Sequence, residues 1–433
     1  SAAAAELLSA AFDEKAWSEE EDDDDARAGA ALLGEYAALH ARMALPGTPR
    51  EERRLLILDQ RAGGLGNRLG SILSGLLLAI LSNRALVVYW DLRSYLLDGD
   101  EEQGGILWQH PSLESIQERY GVEATQGPHF SDMGEMADML VCANLTEALA
   151  SSAAVHITNP HYYLPLLASN PHHRRDLLQT LGAKPAGALF NFLFKLAPYL
   201  QAKVDGVKQR FQGHVIGLQV RMARDCGKIT LEADLGGRTR THAYLTEEHE
   251  RLFYACGTSL LRAARGNASF FVASDIPSLT RPEAVRRLGE HRVIFAELPD
   301  MDVHGSRAAM EEGRPTDFDG AFLDLWLLGE CDEVITTPAS SFGYMATART
   351  ARPPLTVSKW GKCLRPLSSE PFSHAWLLVK DTSCFDPRML LPEFDMFCQD
   401  CVVLECACGD LTCASHSERM PPLFPRQVAT VPG

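Results

Sequence analysis

Three apolar runs end in polar residues of the kind a parallel sheet presents at its ligand-binding edge. His214–Val220 ends in Arg221, with Arg224-Asp225 just beyond. Ser269–Ala273 ends in Ser274-Asp275, and Val334–Thr337 runs into Pro338-Ala-Ser-Ser-Phe-Gly343. An Arg can fork two phosphate oxygens. The Ser340-Ser341-Phe342-Gly343 turn can offer hydroxyls and backbone N–H groups at the positive start of a helix. Arg221 alone reads more simply as a surface ion pair; three such strand ends together suit an anionic nucleotide. Asp324 stands in Ala-Phe-Leu-Asp-Leu-Trp-Leu-Leu, between large apolar residues. A carboxylate there costs several kcal/mol, roughly, unless it is paired or hydrogen-bonded. A guanine edge with two adjacent N–H donors would satisfy it, and so would a structural bond to a nearby backbone group or Arg.

Hydrophobic spacing gives the elements that must hold these residues. Leu55–Asp59 is a short apolar run and predicts a buried strand. The glycine turn Arg61-Ala-Gly-Gly-Leu-Gly-Asn-Arg68 follows. Leu69, Ile72, Leu73, Leu76, Leu77, Ile80 and Leu81 then recur at helical spacing. Gly70, Ser71, Ser74 and Gly75 make a small-residue face able to lie close against another backbone. Ala85–Trp90 predicts a second strand, closed by Asp91, so the whole is a βαβ unit. A less regular stretch to about residue 210 carries helical pieces near Leu113–Tyr120 and Ala186–Leu200. The alternation resumes with strands over His214–Val220, Ser269–Ala273, Arg292–Ala296 and Val334–Thr337. Helices are predicted over Thr246–Ala264, from Ile276-Pro277-Ser278, and over Phe318–Gly329. This is an α/β chain of two Rossmann-like, doubly wound domains, whose ligands lie beyond the carboxyl ends of the strands. The expected organisation is an acidic stem or linker at 1–54, an N-terminal α/β domain at 55–210, a nucleotide-binding domain at 211–350 and a Cys-rich tail at 351–433.

Composition narrows the choice. The 433 residues are 46% hydrophobic and 23% charged, as in ordinary globular proteins, with a formal charge of −16. Residues 1–56 hold 13 acids against 6 Lys/Arg, including the run Glu19 to Asp25. Seven consecutive acids read as a solvated linker, although Ala30–Ala38 can be helical. Such acidity argues against a nucleic-acid partner while leaving room for one local basic pocket. Of 11 cysteines, Cys398, Cys401, Cys406, Cys408 and Cys413 crowd the tail, and their spacing favours disulfides over zinc. Asn144 and Asn267 open Asn-x-Ser/Thr glycosylation acceptors. Leu69–Ser82 falls short of the roughly 20 residues of a membrane-spanning helix. Ser1 opens no signal-peptide pattern, so a truncated or mature form is expected.

The glycine turn admits a competing reading. Gly64-x-Gly66-x-x-x-Gly70 between strand and helix also resembles a dinucleotide-binding turn, with Asp91 placed as a ribose-binding acid. That would make an NAD(P)-dependent oxidoreductase. Asn67-Arg68, where small residues usually line a pyrophosphate, argue instead for side chains aimed at a ligand. A non-catalytic glycan- or nucleotide-binding module is a third reading.

Taken in order from Gly63 to Ala346, four motifs carry a family resemblance. Gly63-Gly-Leu-Gly-Asn-Arg-Leu69 resembles the opening motif of the plant-type (xyloglucan-like) fucosyltransferases. Ile216-Gly-Leu-Gln-Val-Arg221 resembles their first nucleotide motif and Phe270-Phe-Val-Ala-Ser-Asp275 the second. Ala321-Phe-Leu-Asp-Leu-Trp-Leu-Leu328, with Thr336-Thr-Pro-Ala-Ser-Ser-Phe-Gly-Tyr-Met-Ala346, resembles the third. The resemblance implies a GT-B-like, metal-independent, inverting glycosyltransferase that takes GDP-fucose and no further cofactor. It implies that Arg221 holds the β-phosphate, Asp324 the guanine, and Ser340, Ser341, Phe342 and Gly343 the phosphate and base region. Gly64, Gly66, Asn67 and Arg68 would approach the sugar and diphosphate from the first domain, and the motifs bring Gln219 and Asp275 to the same site. Gln219 stands where several other fucosyltransferase classes have His, and Ala339 where an aromatic is usual.

Inverting transfer needs cations preorganised around the leaving diphosphate, the role expected of Arg221 with Arg68 or Arg224, beside Asn67. Asp225, Glu232 and Asp234 follow Arg221 in a glycine-containing loop and could reach an acceptor hydroxyl, with Asp225 the candidate base. Each reads more simply as a solvated loop acid, and the resemblance implies that an obvious base can be lacking. The expected acceptor is a galactoside of a wall polysaccharide or glycoprotein. No nucleic-acid partner is expected, membrane attachment is expected only through a segment outside this chain, and a homodimer is left open. Stem, glycosylation acceptors and cysteines together point to the lumenal part of a Golgi type II membrane protein.

Overall fold

The computed structural model describes residues 19–364 except 61–63, 91, 100–104, 124–126, 132, 159–160, 174–176, 178–179, 182–184, 222–246, 299–317, 338–339 and 358–362. Asp91, Arg224, Asp225, Glu232, Asp234, Ala339 and the five tail cysteines lie outside the described residues.

Two sheets organise the chain, each at the centre of a Rossmann-like domain. The first contains β1 (Leu55–Asp59), β2 (Ala85–Tyr89), β3 (Gln109–His110), β4 (His129–Phe130) and β5 (Ala154–Ile157), all parallel, in the order β3-β2-β1-β5-β4. The second contains β6 (His214–Val220), β7 (Ala268–Ser274), β8 (Val293–Ile294), β9 (Glu333–Thr336), β10 (Leu355–Val357) and β11 (Cys363–Leu364), in the order β8-β7-β6-β9-β10-β11. Only the β10–β11 pairing is antiparallel. In both sheets the chain winds one way from a central strand and then the other, so the switch points fall at the carboxyl ends of β1 and β6. Crevices at such points are where open parallel sheets bind ligands. The central strands β1, β6 and β7 are apolar runs because both of their faces are covered.

The helices include α1 (Glu19–Ala44), α2 (Leu65–Leu81), α3 (Pro185–Leu193), α4 (Pro198–Lys208), α5 (Glu247–Ala263), α6 (Pro277–Leu288), α7 (Asp319–Gly329) and α8 (Ser341–Ala348); Leu113–Tyr120, Met133–Cys142, Leu145–Ala148 and Leu164–Ser169 are also helical. The small-residue face of α2 does lie against backbone. Ser74 Oγ accepts the N–H groups of Tyr163 and Leu164 at 2.9 and 3.0 Å and donates to the Gly70 carbonyl at 2.9 Å.

Several boundaries differ from the sequence reading. Residues 1–54 are not stem throughout: α1 buries Leu33, Tyr36, Ala37, His40 and Met43 against the first sheet. Those positions recur at helical spacing, and the dense acidity N-terminal to them masks the pattern. The helix expected over Ala186–Leu200 is two helices, because Pro198 cannot continue one and instead starts the next. Between them Lys195–Leu196 pairs with Leu96–Leu97. A boundary at 210 separates α4 from the domain it packs on, since Lys203 and Lys208 reach Asp319 and Glu330 on either end of α7, each at 2.5 Å. At the other boundary, 350, the second sheet continues to Leu364. A disulfide, Cys256–Cys363, ties α5 to β11 across 107 residues.

α1 docks by bracketing one residue of β2. The Leu86 N–H donates to Tyr36 Oη at 3.0 Å, and His40 Nε2–H donates to the Leu86 carbonyl at 2.9 Å. His40 and His110 both pack edge-on to Tyr120. Burial, with Arg119 nearby, pulls both imidazoles from 6.5 to about 4; Arg93 adds to the effect on His110. The unfolded chain therefore takes up protons near pH 6.5 that the folded chain refuses until about pH 4. Stability is full above pH 6.5 and falls as the pH drops toward 4, by on the order of 3 kcal/mol per ring. Urea midpoints from pH 7.5 to 4 should fall for the natural chain, and His110→Phe should remove about half of the drop attributable to these two rings.

Candidate active site at the junction of the two domains

The two switch points face each other, and two helix starts meet there. α2 begins at Leu65 after Gly64, and α8 begins at Ser341 after Ser340. A Cβ on Gly66 would lie 2.5 Å from the Phe342 nitrogen and 2.6 Å from the Ser341 carbonyl carbon. Only glycine permits this approach of the two backbones. Neither helix carries an acid in its first turn, and neither has a side-chain cap. Two positive helix ends converging without a counter-charge form an anion site. Beside Gly64, by contrast, a Cβ would meet nothing within 4 Å, so open space lies in front of that residue.

The second-domain side is stitched by β6 and β9. Thr337 N–H donates to Gln219 Oε1 at 3.0 Å, Thr337 Oγ1 donates to the Gln219 carbonyl at 2.7 Å, and the Arg221 N–H donates to Thr337 Oγ1 at 3.0 Å. This fixes the backbone from which the half-buried Arg221 projects. A Cβ on Gly343 would lie 2.7 Å from Thr336 Cγ2 and 2.9 Å from Gln219 Oε1, so the start of α8 is pressed onto the same strand ends. Gln219 is thus buried and committed to backbone at its oxygen. Ser340 is 1% exposed and its Oγ has no hydrogen-bond partner among the described residues, unlike an ordinary Ser at a helix start, which caps. Thr336 Oγ1 is likewise buried without a partner. Ser341 and Phe342 are half-buried.

Asp324 lies on α7, 8% exposed, and no donor among the described residues reaches its carboxyl. Burial pushes its pKa well above the ordinary carboxylate range. A carboxyl held this way costs stability in the free protein and offers two acceptor oxygens to a ligand that brings its own donors.

Arg68 sits at the carboxyl end of the first sheet. It is 1% exposed, with its guanidinium 4.4 Å from the centre of the Trp90 ring. Burial lowers its pKa to about 10, with Asp59 at the end of β1 acting against that shift. Arg68 therefore faces the end of its own sheet, whereas Asn67 is exposed. Asp275 is half-buried at the end of β7. There Ser274 Oγ accepts the Ile276 N–H at 3.1 Å and pairs with Thr280 at 2.7 Å. Gly64, Gly66, Arg221, Ser340, Ser341, Phe342 and Gly343 are brought to one junction. Asn144 is half-buried before the short helix Leu145–Ala148, whereas Asn267 is exposed in the turn before β7. Thr337 and Trp90 were given no role from sequence; Thr337 lies within the third motif, and Trp90 closes a predicted strand.

No family model matches the sequence, and no curated protein matches it. Solved structures do match. An Arg-to-Lys mutant of Arabidopsis thaliana FUT1 in complex with GDP aligns over 80% of this chain and 84% of its own, at 17% identity and a TM-score of 0.56. The fold is that of Arabidopsis FUT1. The GT-B-like arrangement implied by the motif resemblance is therefore present. The α-1,6-fucosyltransferase NodZ of Bradyrhizobium, soaked with GDP-fucose, covers 71% of this chain and 97% of its own at 16% identity. POFUT1 covers 70% and 96% at 10% identity. Their TM-scores, 0.39 and 0.43, are too low to bear on the fold.

The contrast between the two glycines is testable. Gly66→Ala should force the domains apart, lowering the melting temperature by several degrees, the effect of roughly 1–3 kcal/mol of overpacking. Gly64→Ala should leave the melting temperature of the free protein unchanged. Differential scanning calorimetry of both variants checks this.

Proposed function

We propose that this chain is an inverting fucosyltransferase that moves fucose from GDP-fucose to a hydroxyl of a galactoside. The observation that carries the reading is the convergence of two uncapped, acid-free helix starts beside Arg221, with the Ser340 hydroxyl, which has no partner among the described residues, between strand end and helix. That arrangement suits a diphosphate. Asp324 then takes the guanine edge, whose N1–H and exocyclic N–H groups match two carboxylate oxygens. The neighbour that shares the fold was solved with GDP, which agrees with the same assignment.

In this reading the acceptor oxygen attacks C1 of fucose as the bond from C1 to the β-phosphate oxygen breaks. Negative charge grows on the departing GDP, and Arg221 and the two helix ends stabilise it where it develops. The acceptor proton passes to a base, for which Asp225 remains the candidate. Arg68, beside Asp59 at the carboxyl end of β1, adds positive charge on the first-domain side of the crevice. The acceptor is a sugar of a cell-wall polysaccharide or glycoprotein, and the site of action is the secretory pathway. The Cys256–Cys363 bond suits an oxidising compartment, as do acceptor asparagines at Asn144 and Asn267. The dinucleotide alternative is less well served, because Asn67 and Arg68 stand where small residues usually line a pyrophosphate.

The test is turnover of GDP-fucose with a panel of galactosides, following GDP release and the anomeric configuration of the product. Fucosylated product with inversion is expected, and Arg221→Ala should lower kcat by about 10²–10³ with the melting temperature preserved. Undiminished turnover in Arg221→Ala would contradict the proposal, as would turnover of NAD(P) or a UDP-sugar in place of GDP-fucose.

A further inference from the structure

The start of α7, the helix that carries Asp324, is held by residues from outside the second sheet. Phe318 precedes the helix and cannot cap it with its side chain. Its own N–H donates to the hydroxyl of Tyr95 at 3.2 Å, a residue that follows β2 in the first domain. The Tyr95 ring meets Phe318 edge-on at 5.8 Å and stacks on Phe322 at 5.4 Å with the planes 22° apart. Trp90 meets Phe318 edge-on at 5.8 Å while bearing the Arg68 guanidinium on its ring. One residue into the helix, Asp319 accepts from Tyr199 Oη at 2.6 Å and Lys203 Nζ at 2.5 Å.

We infer that Tyr95 is a positioning residue for base recognition: the first domain sets the place of the Asp324 carboxyl through the start of α7. Asp324 lies two positions after Phe322, about 200° around the helix. Tyr95 therefore acts on the face away from the carboxyl and reaches the base only through the helix. A shift or rotation of α7 at its start changes how the two carboxyl oxygens meet a pair of donors whose spacing is fixed. One-donor ligands tolerate that change better than two-donor ligands. The contacts that join the domains thus also aim the carboxyl.

The inference rests on Asp324 being the guanine ligand, and the experiment separates the two. GDP and IDP, which lacks the exocyclic amino group, are titrated calorimetrically into the natural chain, Tyr95→Phe and Asp324→Asn, with melting temperatures recorded for each. The natural chain should prefer GDP by about tenfold, the size of one charge-assisted hydrogen bond. Tyr95→Phe keeps the ring stacking and loses only the hydroxyl. It should shrink that preference about threefold or more, beyond any uniform loss of affinity. A purely structural Tyr95 would lower the melting temperature and leave the GDP-to-IDP ratio unchanged, and that result overturns the inference. If Asp324→Asn keeps the full preference, or the natural chain has none, the guanine assignment itself fails and takes the inference with it.

Discussion

The close approach of two backbones at Gly66 governs the rest of this structure. With no Cβ at that position, the start of α2 can press against Ser341 and Phe342, so the carboxyl ends of two separate sheets share one crevice. Gly343 repeats the device within the second domain, seating α8 on Thr336 and Gln219. Side chains then follow from backbone placement. Arg221 projects from a strand end locked by Thr337, and Ser340 reaches the junction with its hydroxyl uncommitted. Convergent helix ends cost little while they face solvent; brought together, they repel each other and favour an anion between them.

Some features of this site are poor choices for stability alone. A buried carboxyl in the apolar run of α7, and hydroxyls at Thr336 and Ser340 that have no partner among the described residues, each sacrifice folding energy. The surrounding elements offset this with heavily buried apolar contacts: Phe322, Leu325, Leu327 and Leu328 on α7 are all fully buried. Destabilised polar groups gathered on an otherwise well-packed frame are the pattern expected where a ligand completes the structure.

Much of this was legible in local spacing. The apolar runs of β1, β2, β6 and β7, the period of α2 and the polar residues at strand ends all lie within short windows of sequence. Asp324 announced itself by being a carboxylate among Phe, Leu and Trp. What escaped depends on contacts between distant segments. Nothing local to Arg68 tells that it turns inward onto Trp90, and a motif glutamine gives no sign that its oxygen will accept from Thr337. Strands β3 and β4, two residues each, have no periodicity to detect. Pairing of Cys256 with Cys363 across 107 residues is set by the packing of α5 on the sheet edge, whereas cysteine spacing drew attention to the tail. The opposite error arose at α1, where a run of acids hid an amphipathic helix a few residues on.

The central claim is that a guanine nucleotide completes the crevice by pairing with Asp324. Because burial raises the Asp324 pKa in the free protein, the carboxyl holds its proton below that raised value, and pairing with guanine N–H donors requires it to be let go. Below that raised value GDP binding should therefore release a proton, and affinity should rise with pH until the group is ionised in the free protein. Calorimetric titration of GDP in two buffers of different ionisation enthalpy measures this directly, with Asp324→Asn as the reference for protons taken or lost by the diphosphate. The account predicts tighter binding and a larger proton release by the natural chain than by Asp324→Asn. Equal affinity and an equal proton count in the two proteins would contradict it.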